Sequence, residues 1–243
     1  MIEINDLHKS FAGKKVLQGI NLTIEAGETL VIIGRSGCGK SVLIKHIVGL
    51  LEPDSGYVKV EGKIVSELSQ KELYELRKKF GFLFQGSALF DSMTVEENVS
   101  LPLVESNQVF LKAEIKKIVE EKLDLVGLEG ILNLKPSELS GGMKKRVALA
   151  RALVTNPSYI LYDEPTTGLD PIMSDSIDHL IKHLSGKLNV TSIVVTHDMY
   201  SVKNVADRVA MINEGTIYFT GKPDELVNSS DNIIQEFIRR TEV

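Results

Sequence analysis

The 243-residue sequence is 43% hydrophobic, enough for a sizeable core, and its net charge of -5 argues against a protein that tracks a nucleic-acid backbone with a basic face. A single cysteine, Cys38, excludes an intrachain disulfide framework. No stretch approaches the roughly 18 consecutive apolar residues of a membrane span, and Met1-Ile2-Glu3-Ile4-Asn5-Asp6 lacks the basic start of a secretory signal, so the expected place is the cytosol or a membrane surface reached through a partner.

Ile2 to Lys9 and Val16 to Ile24 cluster β-formers around Ala12-Gly13-Lys14-Lys15 and predict an antiparallel pair. Phe11 stands just before the turn, where it could stack on a base or simply end a strand. Thr29-Leu30-Val31-Ile32-Ile33 predicts a buried strand, and Val42 to Val48 a helix. Between them lies Gly34-Arg35-Ser36-Gly37-Cys38-Gly39-Lys40-Ser41, the strand-to-helix setting of a phosphate-binding loop. Its glycines let successive N–H groups converge on phosphate oxygens, Lys40 supplies a point charge, the Ser41 hydroxyl can ligate Mg²⁺, and the helix start favours an anion. Cys38 reads as a small residue filling a tight turn.

Turn chemistry at Glu52-Pro53-Asp54-Ser55-Gly56 closes this helix. Short strands follow at Tyr57 to Val60 and Lys63 to Val65, then a charged surface helix over Ser69 to Lys79. Phe80 to Phe84 predicts a buried strand ending at Gln85, whose amide could ligate Mg²⁺. From Gly86 to about Thr155 the pattern turns helical, over Val95 to Val99, Lys112 to Val126 and Gly141 to Val154. The lysines of the second helix, Lys112, Lys116, Lys117 and Lys122, interleave with glutamates as a solvated face. Ser140-Gly141-Gly142 opens the third as a helix cap or a second anion site.

Ser158 to Glu164 is an apolar strand terminating in two acids, an arrangement in which Asp163 could hold hydrated Mg²⁺ while Glu164 polarises a water. A loop through Asp170 leads to a helix over Ile172 to Leu188. The strand Thr191 to Thr196 delivers His197 to its end. A hairpin through Glu214-Gly215 and two short helices, Pro223 to Leu226 and Asn232 to Arg240, complete the chain. Gly34, Gln85, Glu164 and His197 thus all stand at carboxyl ends of strands, the edge along which open α/β sheets bind ligands.

Taken in order, the phosphate loop from Gly34 through Val42, Gln85, Ser140-Gly141-Gly142, Asp163-Glu164, Asp170 and His197 resemble the nucleotide-binding subunit of ABC transporters over essentially the whole chain. The resemblance implies an α/β P-loop NTPase (RecA-like) core with an N-terminal antiparallel β subdomain, spanning 1–85 and 156–243, and a helical subdomain inserted over 86–155. It implies ATP and Mg²⁺ as ligands: Phe11 at the base, the loop amides and Lys40 on phosphates, Ser41, Gln85 and Asp163 around the metal, Glu164 as general base, His197 as γ-phosphate sensor, and Asp170 beside the nucleotide. It also implies an ATP-bound homodimer in which Ser140, Gly141 and Gly142 act on the partner's nucleotide. Met143 departs from the glutamine common in the family, as Phe11 departs from tyrosine. Met143, the segment Phe80 to Phe90 and Asn98 to Leu103 look like the Mla-type ATPases, which serve phospholipid transport with an MCE-domain lipid-binding protein. That implies a peripheral place on the cytoplasmic face of a bacterial inner membrane, with no nucleic-acid partner. Around 85–103, Phe84, Leu89, Phe90, Met93 and Leu101 supply more apolar groups than a loop needs to stay soluble, and predict a groove in which a short permease helix docks. Other ABC importers or lipopolysaccharide exporters remain open on the same motifs. A DNA-repair member would show a coiled-coil insertion and a translation factor a second cassette; this sequence shows neither.

Overall fold

In the computed structural model, residues 1–106 and 109–241 are described; residues 107 and 108, within the expected helical insertion, and 242 and 243, at the end of the expected core, lie outside them. Strand β1 (Ile2–Phe11) returns as β2 (Lys14–Ile24) through Ala12-Gly13, a tighter turn than expected. With β4 (Ser55–Val60) and β5 (Lys63–Ile64) they form an antiparallel sheet ordered β2-β1-β4-β5. The second sheet is mostly parallel. It contains β3 (Thr29–Ile33), β6 (Phe80–Leu83), β7 (Tyr159–Asp163), β8 (Thr191–Val195), β9 (Arg208–Asn213) and β10 (Thr216–Gly221). Its order is β10-β9-β3-β8-β7-β6, with β10 antiparallel at one edge.

Because side chains alternate along a strand, each central strand feeds two cores. Val31, Ile33, Ile160, Tyr162 and Val194 face one cluster, while Leu30, Ile32, Leu161, Ile193 and Val195 face the other. Helix α1 (Lys40–Ile47) fills the space between the sheets with Leu43, Ile44 and Ile47. The opposite cluster gathers α3 (Val95–Val104), α4 (Lys112–Leu125), α5 (Gly141–Leu153) and α6 (Pro171–Leu188). The helices over 86–155 therefore share one apolar core with the sheet. Contact between α5 and β6 is close enough that a β-carbon on Gly81 would sit 2.4 Å from the Ala152 carbonyl oxygen, so only glycine fits there.

Most expected elements form, and the differences have local causes. The surface helix α2 (Gln70–Arg77) starts after Ser69, which makes a reciprocal capping box with Glu72. Strand β6 is shorter than expected and alternates, so Phe84 is 41% exposed and stacks on Phe82 with ring centroids 4.1 Å apart. Lys122 is not part of a solvated face: it is half-buried, donates to Asn156 Oδ1 at 2.6 Å, and burial lowers its pKa. An unexpected helix, α7 (Met199–Val205), follows Asp198, which accepts the Tyr200 N–H at 2.8 Å; seven residues are too few for periodicity to announce it. Helices α8 (Pro223–Val227) and α9 (Asn232–Thr241) end the described chain.

Asp178 on α6 is fully buried, and neither carboxylate oxygen has a hydrogen-bond partner. Burial pushes its pKa to about 6, with nearby Asp198 and Asp175 adding to the rise and Ser201 opposing it. A pKa raised by folding favours the native state below the unfolded value, and that contribution is lost as pH rises from about 4 to about 6. Replacement Asp178→Asn should therefore stabilise the protein at pH 8 by about 1–3 kcal/mol and by about half as much at pH 5. Urea unfolding of both proteins at the two pH values checks this; a gap that does not change with pH would contradict it.

Candidate nucleotide-binding site

The parallel strands end side by side in the order β3, β8, β7, β6. Each strand end presents one residue of interest: Gly34 after β3, His197 after β8, Glu164 after β7 and Gln85 after β6. A cleft of roughly 690 Å³ opens along this edge, lined by Arg35, Ser36, Gly37, Gly39, Lys40, Ser41, Val42, Gln85, Glu164 and His197.

The phosphate loop is held from below. A β-carbon on Gly34, where φ is 155°, would lie 2.5 Å from the Ile212 carbonyl oxygen and 2.6 Å from Cys38 Sγ. Cys38 thus packs into the turn, and burial raises its thiol pKa, the opposite of what a reactive thiol needs. Helix α1 begins after Gly39 with no side-chain cap, so its first N–H groups can serve an anion. The Lys40 ammonium is buried in the loop, donates to the Gly34 carbonyl at 2.8 Å, and lies 3.8 Å from Glu164 Oε1.

Ser41 Oγ donates to Asp163 Oδ1 at 3.0 Å. Burial raises the Asp163 pKa, an effect that Ser41 opposes and Glu164 reinforces. One half-buried carboxylate, a hydroxyl and an amide are hard oxygen donors too few to enclose an ion alone; they suit Mg²⁺ that keeps waters and phosphate oxygens. Among the described residues no cluster of three or more His, Cys, Asp or Glu could hold a metal.

Glu164 sits at φ 51° with its N–H donating to the Val195 carbonyl at 2.8 Å. Its Oε2 is 2.8 Å from His197 Nδ1 and accepts from Thr167 Oγ1 at 3.2 Å. Glutamate, histidine and lysine therefore converge on one point of the cleft.

Other expected residues lie elsewhere. Phe11 is 42% exposed at the end of β1 and does not line the cleft; Val16 of β2 does. Ser140, Gly141 and Gly142 are also outside it, with Ser140 Oγ accepting the Met143 N–H at 3.3 Å as the cap of α5. Met143 packs against the core. Asp170 does not line the cleft either: its carboxylate caps α6, accepting the Met173 N–H at 2.9 Å.

Two groups were not foreseen. Phe237, Arg240 and Thr241 of α9 form one wall of the cleft, and neighbouring Glu236 pairs with Arg35 of the loop at 3.2 Å. No local pattern reveals such a tertiary approach. Lys145 is buried beneath Gln85 and Glu164. Its signal was legible, since Ala148, Leu149 and Ala152 share its helix face and are buried.

A glycine-rich loop opening a helix, with acids and a histidine on adjoining strand ends, defines a P-loop nucleotide-binding protein. A family model described as ABC transporter matches residues 17–167. The probable ribonucleotide transport ATP-binding protein mkl of Mycobacterium tuberculosis is 42% identical over 237 residues, covering 98% of this chain and 66% of that protein. The intermembrane phospholipid transport system ATP-binding protein MlaF of Haemophilus influenzae is 40% identical over 239 residues, covering 98% of this chain and 90% of that one. A solved dimeric ATP-binding cassette, in a post-hydrolysis state bound to ADP and Pi, superposes with a TM-score of 0.84 at 35% identity, covering 92% of this chain and 99% of the other. The chain belongs to the ABC transporter family, and it spans 66% of the length of the mycobacterial relative.

Proposed function

We propose that this chain binds ATP with Mg²⁺ and hydrolyses it to ADP and phosphate, driving phospholipid movement through separate membrane subunits that work with an MCE-type lipid-binding protein. The observation that carries the reading is the convergence of Lys40, Glu164 and His197 on the cleft that the phosphate loop lines, with Glu164 Oε2 2.8 Å from His197 Nδ1. Loop amides and Lys40 hold the β- and γ-phosphates. Ser41, Gln85 and Asp163 hold Mg²⁺, which neutralises charge on the phosphates. Glu164 takes the proton of the attacking water, and His197 keeps that carboxylate oriented while meeting the γ-phosphate. Ser140 to Gly142, outside the cleft of their own subunit, serve the nucleotide of a second copy, so two ATP molecules join a homodimer. Phe11, exposed at the end of β1, stacks on the base, and Asp170 stands beside the nucleotide in the assembled dimer.

The lipid-transport part draws on the likeness to MlaF and on the apolar segment after Gln85. No helix among the described residues is long and apolar enough to cross a membrane. The likeness to MlaF supports separate membrane subunits and a peripheral place at the cytoplasmic face of the inner membrane. A cleft of roughly 470 Å³ meets the expected 85–103 segment only at Pro102 and Leu103, and Lys78, Glu121, Lys122 and Asn156 line it as well as Tyr74, Phe110 and Ile118, so it is not the apolar groove expected there. Phe84 and Phe90 instead project outward, 41% and 49% exposed. Buried Asn98 pins the Phe90 backbone, accepting its N–H at 2.8 Å and donating to its carbonyl at 3.1 Å. A rigidly held exposed aromatic suits a docking anchor for a short permease helix.

Purification of the chain with its membrane partners tests the proposal. The complex should contain a permease and an MCE-domain protein, carry phospholipid by mass spectrometry, and show ATP-driven lipid transfer. Phe90→Asp should leave the isolated subunit folded, weaken assembly by about tenfold or more, and abolish transfer. A Phe90→Asp complex that assembles and transfers lipid normally would contradict the docking site; a complex built around a different cargo would contradict the phospholipid reading.

A further inference from the structure

Lys145 is a charged side chain with 4% exposure. Its ammonium donates to the Gln85 carbonyl and reaches the Glu164 carbonyl at 3.5 Å. Burying an ammonium costs several kcal/mol, and an apolar side chain of similar volume is often at least as stable. Two neutral carbonyls offset that cost poorly. What Lys145 supplies is geometric, because its two acceptors are the main chains of two different strand ends.

The helix that carries it is itself firmly seated. At the far end of α5, Arg151 donates to the Ser87 carbonyl at 2.8 Å and the Ala88 carbonyl at 2.7 Å. Ser87 and Ala88 adopt left-handed φ values of 61° and 47°, a conformation that non-glycine residues keep only when their surroundings impose it. Two cations of one helix thus bind three carbonyls of the segment 85–88. Of the two, only Lys145 also reaches the Glu164 backbone.

We infer that Lys145 is a positioning residue that locks the Gln85 and Glu164 main chains to α5, so that the metal-side amide and the carboxylate are set together by the helix whose first turn is Ser140 to Gly142. The inference rests on the ATPase reading above. It makes α5 a rod between the two nucleotides of a dimer: its cap meets one, and five residues along, its lysine aligns the hydrolytic groups around the other. Loss of Lys145 should therefore slow turnover and spare the phosphate loop, which it does not touch.

The test uses the full chain with ATP and Mg²⁺, comparing Lys145→Met, Lys145→Arg, Arg151→Met and Glu164→Gln. Lys145→Met should melt no lower than wild type, keep KM for ATP within about threefold, and lose about tenfold to a hundredfold in kcat, the usual cost of removing a group that orients ligands from behind. Half-saturating Mg²⁺ should rise with it. Lys145→Arg should recover much of the loss, and Arg151→Met, which leaves Glu164 alone, should cost less. If Lys145→Met does not fold, Lys145→Gln takes its place, and the same split between kcat and KM decides. A Lys145 variant with wild-type kcat while Glu164→Gln is inactive overturns the inference alone, as does a parallel loss of melting temperature and nucleotide affinity, which would mark a merely structural residue. Turnover by Glu164→Gln overturns the ATPase reading on which it rests.

Discussion

Glu164→Gln should bind ATP and fail to turn it over, with kcat lowered by about 10² to 10⁴, the range a general base contributes. The substitution keeps the side-chain shape and removes one negative charge 3.8 Å from the Lys40 ammonium and 2.8 Å from His197 Nδ1. An amide in that place accepts no proton from water. The contacts that would close the dimer come instead from the phosphate loop and from Ser140 to Gly142, which Glu164 does not supply. With ATP and Mg²⁺ the variant should therefore elute as a stable dimer by light scattering, and with ADP as a monomer; if closure requires the membrane subunits, the same contrast appears in the assembled complex as slow nucleotide release. Hydrolysis above about a tenth of the wild-type rate would mean that another residue is the base.

Lys40→Ala should remove both turnover and most of the nucleotide affinity. The ammonium lies inside the loop against the Gly34 and Arg35 carbonyls at 2.8 and 3.4 Å, from which it can swing to phosphate oxygens with little reorganisation. A charge-assisted hydrogen bond is worth about 1.5–3 kcal/mol, so affinity should weaken by about tenfold to a hundredfold, measured by fluorescent-nucleotide titration. The two variants separate the roles: Glu164→Gln loses rate and keeps binding, whereas Lys40→Ala loses both. Near wild-type hydrolysis by Lys40→Ala would end the assignment of this loop.

How much of this was legible in the chain depends on the range of each cause. The loop Gly34 to Ser41 could be read because its chemistry is contiguous, and the strand-end residues could be read because apolar runs terminate at Gln85, Glu164 and His197. The antiparallel pair and the helix caps at Ser69, Ser140 and Asp170 follow from local turn and capping rules. Lys145 was hidden inside Lys144-Lys145-Arg146, where a run of charge looks like a solvated face, although the helical period sets it with Ala148, Leu149 and Ala152. The approach of α9 to Arg35 could not be read at all. It depends on Ile234, Phe237 and Ile238 packing into the cluster formed by elements far away in sequence, and it decides that Arg240 and Thr241 stand on the rim of the cleft. Likewise Phe84 and Phe90 could be read as apolar residues in a loop segment, but only the fold shows that both are exposed and that neither lines the cleft at Tyr74 and Leu103.

The conformation of Glu164 has a consequence for how the protein divides its stability. A glutamate at φ 51° holds about 1–3 kcal/mol of strain, a considerable part of a native margin that is commonly only about 5–15 kcal/mol. The main chain there is kept in place from outside, by the Val195 carbonyl that receives its N–H and by the buried ammonium beneath its own carbonyl. Selection for robustness alone would relax that turn with glycine or asparagine and lose the carboxylate in doing so. This left-handed glutamate in the cleft is thus a point where durability and turnover pull the sequence in opposite directions, and the dense apolar packing on both faces of the parallel sheet is what lets the fold tolerate it.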